Sequence, residues 1–158
     1  MKRLPNGTCV EPAGDGKVLQ VLADTITLKL TAKDTGGALT MFETITPPGM
    51  GTPPHIHRRE DETFYVLEGE LEFWSEAGTI RGGPGTVAHL PRNEMHCFTN
   101  VGSAPARFIC VATPSGIEEF FAEVAALPPG PPDIPKIVAI GASYGIEIPP
   151  PPPGHPAG

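Results

Sequence analysis

His55 and His57 lie two residues apart, and Glu62 follows five residues after the second. On a β-strand, residues i and i+2 point to the same face. Both imidazoles can therefore reach one point in space. A third imidazole, His96, stands much later, at the head of another apolar run. Three neutral nitrogens and one carboxylate oxygen suit a divalent transition metal. Imidazole serves Zn, Cu, Fe and Ni, and a carboxylate also suits Mn, so the donor set leaves the ion open among Ni, Mn, Fe, Co, Cu and Zn.

These groups need strands to hold them. Glu62 opens the run Thr63-Phe64-Tyr65-Val66-Leu67, aromatic and β-branched, which reads as a strand. Val18 to Leu30 and Leu39 to Thr46 alternate apolar and polar residues and read likewise. Further short strands are expected at about 55–58, 70–75, 78–81, 86–90, 96–100 and 106–113, punctuated by Gly and Pro. Many short strands without intervening helices imply an all-β antiparallel sandwich or barrel. Residues 1–16 read as loop.

Helix is expected only near the end. Ser115 and Glu118 fit a capping box, and Ile117, Phe120, Phe121, Val124 and Leu127 fall on one helical face. That stripe reads as packing on the barrel exterior. A second short helix is expected from Asp133 to Tyr144, with Asp133 as N-cap and Gly145 just past its end. Pro149 to Pro153 reads as an extended, solvated tail; His155 is given no role.

The 158 residues suit one domain, with a net charge of −7. An acidic chain without basic stripes argues against nucleic acid as partner. The pair Arg58-Arg59 runs straight into Glu60, Asp61 and Glu62 and reads as a solvated turn. Three cysteines without a CxxC read as reduced thiols in a cytoplasmic protein. Neither a secretory h-region nor an apolar stretch of membrane-spanning length occurs, so no membrane partner is expected.

The spacing Gly49-x5-His55-x-His57-x4-Glu62-x6-Gly69, followed by Gly85-x5-Pro91-x-Asn93-x2-His96-x3-Asn100, resembles the two motifs of the cupin superfamily. Asn93 is the one departure, standing where the family usually has Gly; Asn tolerates the left-handed region better than other residues. The resemblance implies a jelly-roll barrel over roughly 24–113, within a single cupin domain of residues 1–127. A C-terminal extension at 128–148 and the Pro-rich tail at 149–158 complete the chain. It also implies His55, His57, Glu62 and His96 as ligands of one metal, and a homodimer.

Residues from Pro53 to Phe73, and the segment Thr113 to Phe121, are most similar to small cupins of the quercetin 2,3-dioxygenase-like branch. That likeness implies a metal-dependent dioxygenase cleaving a flavonol-like or other enolisable molecule with dioxygen. Glu62 would double as ligand and catalytic base. A redox-neutral isomerase, cyclase or lyase, or a non-catalytic small-molecule binder, stays open. Strand parity turns Phe64 and Val66 inward with Glu62, and Phe98 inward with His96, as candidate substrate contacts. His89, alone among apolar neighbours, is a further candidate.

Overall fold

The computed structural model describes residues 1–150. The reading of residues 151–158 as the end of a polyproline tail, His155 included, lies outside the described residues. In chain order the elements are β1 (Lys2–Arg3), β2 (Cys9–Val10), β3 (Lys17–Val21), β4 (Asp24–Leu30), α1 (Ala32–Thr35), β5 (Thr40–Thr46), β6 (Ile56–His57), β7 (Asp61–Glu68), β8 (Leu71–Ser75), β9 (Gly78–Gly82), β10 (Val87–Leu90), β11 (His96–Asn100), β12 (Ala106–Thr113), α2 (Ile117–Ala125), α3 (Ile134–Ser143) and β13 (Ile146–Glu147).

The fold is the all-β jelly-roll barrel expected. A six-stranded sheet runs β10-β7-β12-β5-β4-β3, and a three-stranded sheet runs β11-β8-β9, all antiparallel. Period-2 alternation fills the space between them. Along β12, Ala106, Phe108, Cys110 and Ala112 are buried, while the residues between them are partly exposed. Phe64, Phe73, Phe98 and Phe108 meet there, with ring centroids 5.1–5.6 Å apart and mostly tilted or edge-on.

Four expectations about elements are corrected. Residues 1–16, read as loop, hold the antiparallel β1–β2 pair. Val18 to Leu30 is a hairpin, not one strand; the chain reverses at Leu22, which takes a positive φ of 54°. A one-turn helix, α1, interrupts the strands, with Asp34 accepting from both the backbone and the hydroxyl of Thr31. The N-cap of α2 is Gly116, not Ser115. Glu118 does reach back, but to the Gly116 N–H at 2.8 Å. It also accepts from the Ala32 N–H at 2.7 Å and from the Thr40 hydroxyl. Its carboxylate thus pins α2 to β5 and α1, a longer reach than a capping box.

The apolar stripe of α2 is not an exterior packing face. α2 packs against β3 and α3, α3 packs against β13, and β13 pairs with β6, where Ile146 opposes His57. The segment from 117 to 147 thus bridges from the β3 edge to the histidine-bearing strand. Its buried residues Ile117, Phe120, Phe121, Val124, Ile137 and Ile146 belong to the same core as the barrel strands. Arg58 and Arg59 hold it there. Arg58 makes a two-pronged pair with Glu147 at 2.7 and 2.8 Å, and Arg59 donates to the Ser143 carbonyl. The pair is exposed in a bend, as the reading of a solvated turn implies, and adds these surface contacts to the segment. Asp133 caps α3 as expected, accepting from the Lys136 N–H.

Candidate metal centre and the cavity it faces

β6 is only two residues long, but the bridge between His55 and His96 extends its alignment. Their backbones exchange two hydrogen bonds of 3.0 Å. This pairing sets His96 directly beside His55, next to His57, although it stands some forty residues later in the chain. Glu62 enters from β7 in the opposite sheet. Asn93 makes the approach turn with φ 68°, the left-handed conformation that its replacement of Gly requires, and its N–H donates to the His57 carbonyl at 2.7 Å.

One ligand atom from each of His55, His57, Glu62 and His96 lies within 4.8 Å of the others, and all four residues are buried. His55 Nε2 is 3.1 Å from His57 Nε2, and Glu62 Oε2 is 3.4 Å from both His57 Nε2 and His96 Nε2. The outer nitrogens settle the tautomers. His55 Nδ1 donates to the Pro53 carbonyl at 2.8 Å and His96 Nδ1 to the Glu94 carbonyl at 3.0 Å. Their Nε2 atoms therefore present lone pairs to a carboxylate that is also an acceptor. His96 Nε2 is sealed from solvent and finds no hydrogen-bond partner. Converging lone pairs with too few protons repel one another, and a cation among them removes the conflict. The residues fit a divalent metal on this ground.

The electrostatics agree. Burial, aided by the neighbouring His57 and His96 rings, pushes the pKa of His55 down to about 3, so its ring is neutral and free to ligate. Burial opposes ionisation of Glu62, yet the three imidazoles hold it at about 2. Burial also disfavours a charge on His57, but the carboxylates of Glu62 and Glu60 outweigh it and raise its pKa.

Two supporting residues were missed in the sequence. Glu60, only 3% exposed, sets Oε2 3.5 Å from His57 Nδ1. It looked like one of three solvated acids; its spacing of three from His57 was the only clue. Cys110 places Sγ 3.6 Å from Glu62 Oε1. Burial and the adjacent Glu62 carboxylate push this thiol well above its ordinary range, so it stays a donor.

The cluster faces a cavity of about 140 Å³. Its wall includes Phe64, Phe98, Phe108 and Phe42 from the barrel and Ile117, Phe121, Ile137 and Ile146 from the C-terminal segment. Phe64 and Phe98 are thus where parity put them. Val66 is inward but belongs to the solid core and does not line the cavity. His89 points the other way: it opposes Thr63 in the β10–β7 pair and meets the Thr63 hydroxyl at 3.1 Å on the exposed outer face. Neither Val66 nor His89 reaches the site.

The cupin-domain family pattern matches residues 41–112, a stretch that contains all four clustered residues. Over that stretch the chain is similar to cupin domains, and its jelly-roll barrel agrees with that likeness. The chain is 28% identical over 123 residues to quercetin 2,3-dioxygenase of Bacillus subtilis, covering 77% of the chain and 36% of that protein. It therefore spans only about a third of that relative's length. Among solved structures it resembles KdgF from a Halomonas species, with TM-score 0.63 and 18% identity over 71% of this chain and 98% of the other. It also resembles the polyketide cyclase RemF from Streptomyces resistomycificus, with TM-score 0.53 and 27% identity over 72% of this chain and 79% of the other. Among the described residues, no helix is long and apolar enough to cross a membrane.

Proposed function

We propose that this protein is a metal-dependent dioxygenase that cleaves a flavonol-like or other enolisable small molecule. His55, His57, Glu62 and His96 would hold one divalent transition metal. The observation that carries the reading is the convergence of three histidine nitrogens and a carboxylate on the wall of an apolar, aromatic-lined cavity. A metal bound there would supply Lewis-acid stabilisation of an enolate oxygen.

The chain's own residues do the rest. Glu62, ionised throughout the working pH range, accepts the hydrogen bond of the substrate's enol hydroxyl and draws its proton. Glu60 keeps the His57 ring turned so that Nε2 faces the cavity. Phe64, Phe98 and Phe108 offer ring faces and edges to a flat substrate. The apolar C-terminal segment limits water, which favours ion–dipole contacts inside. Dioxygen is the oxidant, the enolate gives the electrons, and both oxygen atoms end in the cleaved product. The similarity to the quercetin dioxygenase of Bacillus subtilis supports this chemistry. We propose a homodimer as the working assembly and the cytoplasm as its compartment.

The likeness to a polyketide cyclase favours one second reading, a redox-neutral reaction at the same site. Oxygen uptake separates the two. Metal-loaded protein given an enolisable ring compound should consume dioxygen in proportion to substrate, and Glu62→Ala should abolish it. Turnover under strict anaerobiosis would overturn the dioxygenase and leave the redox-neutral enzyme.

A further inference from the structure

We propose that the cavity selects a compact, single-ring enolisable compound carrying a second hydrogen-bonding oxygen, and that Thr44 is the residue that recognises that oxygen. The inference rests on the reading that the substrate's enol group sits at the histidine cluster, and it narrows the substrate from that starting point.

Size comes first. The cavity measures about 140 Å³. An apolar cavity of about 150 Å³ holds a single benzene ring. A three-ring flavonol exceeds that space, so its further rings would have to lie outside it.

Polarity comes second. Apart from the four clustered residues, the polar side chains on the wall are Asp24, Thr44 and Thr52. Thr52 accepts from the Phe98 N–H, and Asp24 accepts from the Thr46 hydroxyl at 2.7 Å. Thr44 differs. It is 2% exposed, and its Oγ1 is sealed from solvent without any hydrogen-bond partner. A buried hydroxyl left without a partner costs about 1–3 kcal/mol. Valine has nearly the same shape and would avoid that cost at this position. Thr44 on β5 lies level with Phe108 of β12, whereas Glu62 on β7 lies level with Ala112, four residues further along that strand. Both line the cavity, so a ring that meets the histidines with its enol oxygen and reaches along the cavity presents its far edge toward Thr44. A hydroxyl or carbonyl on that edge satisfies the orphaned group, and a methyl there leaves it unpaired.

The test uses two pyranones that differ by one oxygen: 5-hydroxy-2-hydroxymethyl-4-pyranone and its 2-methyl analogue. Their affinities for the zinc-loaded full chain, which is redox-inert, are measured by titration calorimetry beside that of quercetin. The wild type should prefer the hydroxymethyl compound by about tenfold. Thr44→Val should erase the preference by weakening that compound alone, and Thr44→Ser should restore it. Quercetin should bind at least tenfold more weakly than the hydroxymethyl pyranone. A preference that survives Thr44→Val, no preference in the wild type, quercetin binding as tightly as the single ring, or no binding of either pyranone would each overturn the proposal. Equal binding of both pyranones to wild type and to His55→Ala/His57→Ala would instead sink the placement of the enol at the histidines.

Discussion

Ile146 stands directly opposite His57 in an antiparallel pair, so a residue near the end of the described chain shares a backbone ladder with a candidate metal ligand. The segment that carries it adds Ile137 and Ile146 to the core and one side of the cavity wall. Each such side chain contributes about 1.5–3 kcal/mol on burial. Ending the chain after Leu127 should therefore lower the melting temperature by roughly 10 °C or more. It should also weaken binding of apolar ring compounds. A truncated protein with unchanged melting temperature and affinity would show that the segment is only an appendage.

Glu60 sets a carboxylate oxygen toward the outer nitrogen of His57. Residues that orient a metal-ligating histidine are typically worth about 10- to 100-fold in metal affinity. Glu60→Gln should lose metal affinity on that scale in a chelator competition, with little change in melting temperature. Unaltered affinity would remove Glu60 from the site.

Much of the site was legible because it is local. The two-residue spacing of His55 and His57, and parity along the strand from Glu62 to Phe64, follow from backbone geometry alone. The positive φ at Asn93 likewise follows from the place it takes in a turn. Glu60 escaped because its local spacing looked like that of a solvated acid; the rest of what escaped depends on pairing between distant strands. Cys110 meets Glu62 only because β12 lies beside β7 with Ala112 opposite Glu62, and no local spacing encodes that register. The same holds for His89, which register with Thr63 turns outward. The stripe on α2 showed that the helix buries a face but could not say against what. The pairing of β13 with β6 decides that it closes the cavity.

Cys110 supplies the hydrogen bond to the Glu62 oxygen that faces away from the histidines. Cys110→Ala leaves that buried oxygen without its donor, which should destabilise the protein by about 1–3 kcal/mol in urea unfolding. Cys110→Ser keeps a donor and should recover most of the loss. Equal stability of the alanine variant and wild type would show that the contact contributes nothing.

Asp24 gives a pH signature away from the candidate ligands. Burial raises its pKa to about 6, offset in part by the Thr46 hydroxyl. The folded state thus holds this proton more tightly than the unfolded chain does. The associated stability is present below about pH 4, the unfolded value, and is lost as pH rises through about 6. Asp24→Asn should therefore stabilise the protein at pH 7–8 by roughly 1–3 kcal/mol and should change little at pH 4. The same increment at both pH values would show that the carboxyl is not the titrating group.

The central claim is that His55, His57, Glu62 and His96 hold one divalent metal, and metal content after loading and exhaustive dialysis tests it most directly. Elemental analysis should find about one ion per chain in the wild type and a small fraction of that in the folded His55→Ala/His57→Ala variant. Equal metal content in the two proteins would contradict the account.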